Sequence, residues 1–130
     1  MEKDMVNRGF TLIEALIALA VVSILILGTA QILAHALAVK KSVDEQTEAC
    51  LLAAAKLEQL KARPFESADL AAGNGSEEIK GGSVAAIFTR EWRIEDVSDG
   101  LKRAEVAAFS LGRPWRKVRM ALYLVRELEF

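Results

Sequence analysis

Arg8-Gly9-Phe10-Thr11-Leu12-Ile13-Glu14 leads directly into Ala15–Val39, 25 residues without a formal charge at neutral pH. Such a run exceeds the ~20 apolar residues that cross a bilayer as a helix, so the stretch predicts a membrane-spanning helix near the start of the chain. Glu14 breaks the pattern. A carboxylate inside the hydrocarbon costs about 2.5–3.5 kcal/mol even on lenient insertion scales, which makes it a functional candidate in need of a counter-charge. The opening turn of a helix lessens that cost, because the macrodipole favours an anion there. A carboxylate resting at the headgroup boundary would need no further role, but that reading leaves the Gly9-Phe10 junction unexplained.

At these residues the chain resembles the type IV pilin and type II secretion pseudopilin family, whose class III leader ends in Gly before Phe-Thr-Leu-(Ile/Leu)-Glu and an apolar helix. The resemblance covers about Arg8 to Leu33. It implies that an inner-membrane prepilin peptidase cuts between Gly9 and Phe10 and methylates the new Phe10 amine. Glu14 then becomes the fifth mature residue and pairs with the amino terminus of a neighbouring subunit. Two buried charges that neutralise each other across subunits set axial register, a role such pairs serve better than net stability. Implied partners are the peptidase, other pilin or pseudopilin subunits through their N-terminal helices, and an inner-membrane assembly platform. The leader lies in the cytoplasm and the C-terminal domain in the periplasm. Flanking charge does not decide orientation, since Lys3 and Arg8 before the apolar run are matched by Lys40 and Lys41 after it.

An ordinary secretory signal is the second reading of the amino terminus. Ala34-His35-Ala36 and Ala36-Leu37-Ala38 satisfy the small-x-small rule and would release a domain starting near Leu37 or Val39. Its apolar core would be far longer than the usual ~7–15 residues.

Removal of residues 1–9 takes Lys3, Arg8, Glu2 and Asp4 and leaves the net charge at −1, which argues against nucleic acid or acidic lipid as a dominant partner. Arg113, Trp115, Arg116, Lys117 and Arg119 form the one basic cluster with an aromatic among them. Strand alternation divides these side chains between two faces, and Glu105, Glu127 and Glu129 can balance them, so a solvated sheet edge is favoured over a single-strand binding surface.

Catalysis has no visible address. His35 is the one histidine and stands at the end of the apolar run, without a Cys or Asp beside it for a nucleophilic or metal site. Gly81-Gly82 lacks the Lys-Ser/Thr and helix of a phosphate loop. Cys50 is alone, which excludes an intramolecular disulfide and a cysteine-based metal cluster and suits a small residue on a packed helix face. No enzyme, cofactor or metal is expected.

Between Gly28 and Gly73 the chain has no glycine, and no proline precedes Pro64. Ser42–Arg63 is rich in Ala, Leu, Glu, Gln and Lys, which extends the helix beyond the membrane. A helix from about Phe10 to Ala62 runs ~80 Å at ~1.5 Å per residue. Val43, Cys50 and Leu57 recur every seven residues with Gln46, Ala53 and Leu60 three positions after each, a stripe predicted to pack against something. Arg63-Pro64 ends it.

Beyond the helix, Gly73-Asn74-Gly75-Ser76 reads as a turn or loop. Glu77–Lys80 and Ser83–Phe88 flank Gly81-Gly82 as a two-residue hairpin, and Ser98-Asp99-Gly100 marks another turn. Phe88, Trp92 and Ile94 share a face with Arg90 interposed. Lys102–Leu111 and Trp115–Val125 complete a meander around Gly112-Arg113-Pro114, the last strand alternating Val118, Met120, Leu122 and Leu124 with Lys117, Arg119, Ala121 and Tyr123. The expected fold is α+β and pilin-like, a long N-terminal helix carrying a small antiparallel sheet. Its parts are a leader at 1–9, a membrane segment at 10–39, an amphipathic extension at 40–63 and a periplasmic sheet domain at 64–130.

Within the resembling family, a chain of 121 residues after the leader is short for a major fibre-forming subunit. It also lacks their paired cysteines and has Gln31 where major type IVa pilins carry a kinking Pro. Leu51–Ala62 followed by Phe88-x-Arg90-x-Trp92-x-Ile94 is similar to minor pseudopilin I and to PilV-type minor pilins. A non-polymerising membrane-anchored binding domain and a competence pseudopilin for DNA uptake are the alternatives.

Overall fold

The computed structural model describes residues 9–126. Helix α1 spans Leu12–Lys61, followed by a single 3₁₀ turn at Ala68–Leu70 and strands β1 (Gly73–Lys80), β2 (Ile87–Ser98), β3 (Leu101–Ser110) and β4 (Val118–Val125). The chain divides into two units, one ending at Lys40 and one beginning at Lys41.

In the first unit the helix is apolar on all sides and has no protein cover. Leu16, Ile17, Ile24, Leu25 and Ile32 are all exposed, so the segment has no core of its own. Its hydroxyls bond back to their own helix: Ser23 Oγ donates to Leu19 O at 2.7 Å and Thr29 Oγ1 to Ile26 O at 2.9 Å. Polar groups satisfied within the segment are what hydrocarbon requires of a spanning helix.

In the second unit the four strands form one antiparallel sheet in the order β1-β2-β3-β4, a plain meander. The rest of α1 lies on one face of it. Ala49, Ala53 and Leu60 from the helix are buried in one cluster with Leu70, Phe88, Ile94, Ala104, Val106 and Ala108. Leu52, Leu57, Trp92, Val118, Met120 and Leu124 pack around that cluster. Full burial of Phe88, Leu70 and Val106 stabilises the unit by roughly 1.5–3 kcal/mol each. After Lys61 the connection is held by Lys102, whose Nζ donates to Phe65 O at 3.1 Å and Leu70 O at 2.9 Å.

The structure corrects three boundaries. Gly73–Ser76 is strand rather than turn, paired residue for residue with Ile94–Glu91. Gly75 stands opposite Trp92, and a Cβ there would overlap the indole, so this glycine serves close approach across strands. The β1–β2 connection occupies residues 81–86, because Lys80 pairs with Ile87 and the Gly81 N–H closes the loop on Ala86 O at 2.9 Å. The last strand begins at Val118, since Arg113–Arg116 forms a turn closed by the Arg116 N–H on Arg113 O at 3.0 Å. At Ser98–Leu101 the expected turn is present, with Gly100 in the left-handed region (φ 82°).

Candidate assembly site

Helix α1 is capped by its own sequence. Thr11 precedes the first helical residue, and its Oγ1 accepts the Glu14 N–H at 3.3 Å. Thr11-x-x-Glu14 is thus the capping-box pattern, with the side chain of the first member on the backbone of the fourth. This geometry puts Glu14 in the opening turn, where the unpaired N–H groups of the helix favour its negative charge. Gly9, Phe10, Thr11 and Glu14 are all exposed, and Phe10 keeps 74% of its surface. The Gly9-Phe10 bond, the Phe10 ring and the Glu14 carboxylate therefore stand exposed at the start of an uncovered apolar helix. Such an arrangement suits processing followed by packing against other helices, with the carboxylate available to a cation.

The helix residues of the second unit are placed unequally. Leu60 is buried, Cys50 and Leu57 are half-buried, and Val43 is 54% exposed and lies off the face that meets the sheet. That face instead includes two charged residues, Glu48 and Lys56, which an apolar stripe does not reveal.

Glu48 fastens the β1–β2 loop to the helix. The Gly82 N–H donates to its Oε1 at 2.7 Å and Ser83 Oγ to its Oε2 at 2.6 Å. The Ser83 hydroxyl first, and then the Gly82 amide, hold its carboxyl below the usual carboxylate range against the opposing effect of burial. Lys56 lies with Nζ 3.7 Å from the centre of the Trp92 ring and 3.3 Å from Glu77 Oε1. Arg90 joins the same carboxylate, with Nε at 2.9 Å, and gives its third nitrogen to Leu52 O at 2.9 Å. Burial raises the Glu77 pKa, but the Arg90 and Lys56 charges outweigh it and lower the value overall. Arg90 was visible in the sequence as a charge interposed on an apolar face. The rule that buried charges are paired is the signal that leads from it to a partner across the hairpin.

The basic cluster is divided among acids and strands. Arg113 lies 3.4 Å from Glu45 Oε2, Arg116 bonds Ser42 Oγ, and Lys117 reaches Glu91 Oε2 at 3.3 Å while its Nζ covers the Phe109 ring. The balancing acids are therefore Glu45 and Glu91. Of the acids expected in that role, Glu105 pairs with Arg103 at 2.9 Å, and Glu127 and Glu129 lie outside the described residues. His35 is exposed, and among the described residues no group of three or more His, Cys, Asp or Glu is placed to hold a metal ion.

The fold has a pilin-like α+β plan, with one N-terminal helix long and apolar enough to cross a membrane. Residues 4–30 match the family model described as the prokaryotic N-terminal methylation motif, and the chain carries a type IV pilin-like leader. This motif is that of type IV pilin- and pseudopilin-like precursors, and it implies cleavage by prepilin peptidase and assembly with other pilins. No curated protein and no solved structure matches the chain.

Proposed function

We propose that the protein is a minor pilin or pseudopilin that primes or caps a type II secretion pseudopilus or a type IV pilus. Prepilin peptidase removes residues 1–9 on the cytoplasmic side and methylates the Phe10 amine. Residues 10–39 then hold the subunit in the inner membrane, 40–63 extend the helix, and 64–130 form the periplasmic domain. During assembly, Glu14 pairs with the Phe10 amine of a neighbour and sets the axial register, while the apolar helices bundle and the sheet domain faces outward. The assembly platform and its ATPase supply the work of extraction.

The observation that carries this reading is the Gly9–Glu14 sequence on the capped start of an uncovered apolar helix of membrane length. Gln31 within a helix that runs without a break from Leu12 to Lys61, and the lone Cys50, favour a minor subunit of the pseudopilin I or PilV type over a major fibre subunit. Glu14→Ala and Glu14→Val test the mechanism in cells. Loss of incorporation into filaments, with membrane insertion intact, is the expected result; unchanged incorporation would remove Glu14 from the register role.

A further inference from the structure

In the second unit, the end at which the chain leaves the apolar run carries a rim of bare apolar side chains. Ile87 and Leu111 are joined by the Leu111 N–H on Ile87 O at 2.9 Å, and they are 51% and 53% exposed. Val84 and the loop around it line, with Lys41 and Leu111, a single open cavity, so these loops stand beside the first helical residues of the unit. On the neighbouring turn Trp115 is 75% exposed, the most of any large apolar side chain among the described residues of this unit, and its neighbour Arg116 is bonded to Ser42.

From these placements we infer that this rim docks on the phospholipid surface of the membrane that holds the helix. The inference rests on reading the apolar run as a membrane anchor. Ala15–Val39 spans ~37 Å as a helix against a hydrocarbon thickness of ~30 Å, so its end reaches the headgroups. Lys41 follows Val39 by two residues and is therefore within ~7 Å of that level whatever the angle between the units. Loops that share a cavity with Lys41 are then within reach of the same layer. Their composition fits it: an indole and branched aliphatics for the acyl boundary, with Lys41 and Arg116 for anionic headgroups. Glu45, which lines the same cavity as Lys41, is paired with Arg113. Docking would hold the folded unit against the bilayer while the subunit waits in the membrane, and assembly would have to release it.

The test uses the full chain reconstituted in phosphatidylethanolamine–phosphatidylglycerol vesicles whose upper acyl carbons carry bromine, a contact quencher of indole fluorescence. Trp115→Phe isolates the signal of Trp115 from that of Trp92, and Leu111→Glu disrupts the rim without touching the core. Flotation with vesicles after carbonate washing is expected for all three proteins. Loss of fluorescence in brominated vesicles is expected for the wild type, with that loss removed by Trp115→Phe and weakened by Leu111→Glu. Proteins that float but show no Trp115 quenching overturn docking and leave the anchor standing; proteins that do not float overturn both. Protection of Trp115 that disappears on dilution into excess lipid, without bromine quenching, overturns docking in favour of a second copy of the chain as the occupant.

Discussion

Arg90 and Glu77 stand opposite each other on β2 and β1, and Arg90 sets both Nε and one terminal nitrogen on a single oxygen, Glu77 Oε1. Its remaining nitrogen donates to Leu52 O on the helix, and Lys56 approaches the same carboxylate from the helix side. One charge cluster thereby links two strands to α1 within an otherwise apolar face. Its chief physical consequence is that the helix has a specified position on the sheet, because moving it would strand a buried guanidinium.

Removing the guanidinium should be costly. Arg90→Ala removes the donor to Leu52 O and one of the two cations on Glu77, which keeps Lys56 and part of its solvent contact, and a loss of about 1–3 kcal/mol is expected. Glu77→Gln should cost less, since the amide oxygen can still accept from the Arg90 guanidinium. Equilibrium urea unfolding of the full chain in detergent, followed by Trp fluorescence, reads both. Values within ~0.5 kcal/mol of wild type for Arg90→Ala would show that the cluster is ornamental.

Acid should weaken the second unit through Glu48 and Glu77. Both carboxyls have folded pKa values below the ordinary 4.5, so their contribution is complete above about that pH and is lost as pH falls through the folded values. Unfolding midpoints should therefore hold steady above pH ~5 and fall on further acidification. Glu48→Gln should lower stability at neutral pH and flatten the acid limb, since its partners Gly82 and Ser83 then face a neutral amide. An acid limb of unchanged steepness would assign the pH dependence to other groups.

Much of this architecture could be read from the chain, and the failures have a common cause. Helix composition, the Pro64 stop and the alternation in β4 report local preferences, and they gave the helix, the final strand and the meander. Gly75 misled because glycine marks turns and close approaches alike, and only the cross-strand partner Trp92 distinguishes them. Gly81-Gly82 gave a hairpin too short because the loop is shaped by Glu48, more than thirty residues earlier. Lys56 and Glu48 escaped for the same reason: a charged helix residue reads as solvent-facing until its partner on another element is known. The leader motif at residues 4–30 was legible because it lies in local order and not in packing.

Gly75→Ala tests the distinction between turn and close approach. Its methyl group would meet the Trp92 indole, and a loss of about 1–3 kcal/mol is expected from overpacking. Combined with Trp92→Val, the same change should cost less than it does alone, giving a measurable coupling in a double-mutant cycle. Additive losses would mean that Gly75 is required for its backbone alone.

The account depends most on what happens at Gly9-Phe10, and mass spectrometry of the mature amino terminus from purified membranes reads it directly. A chain beginning with N-methylated Phe10, with Glu14 as its fifth residue, is the predicted result. An intact Met1, or a start near Leu37 or Val39, would contradict the account and leave a membrane-anchored or secreted domain in its place.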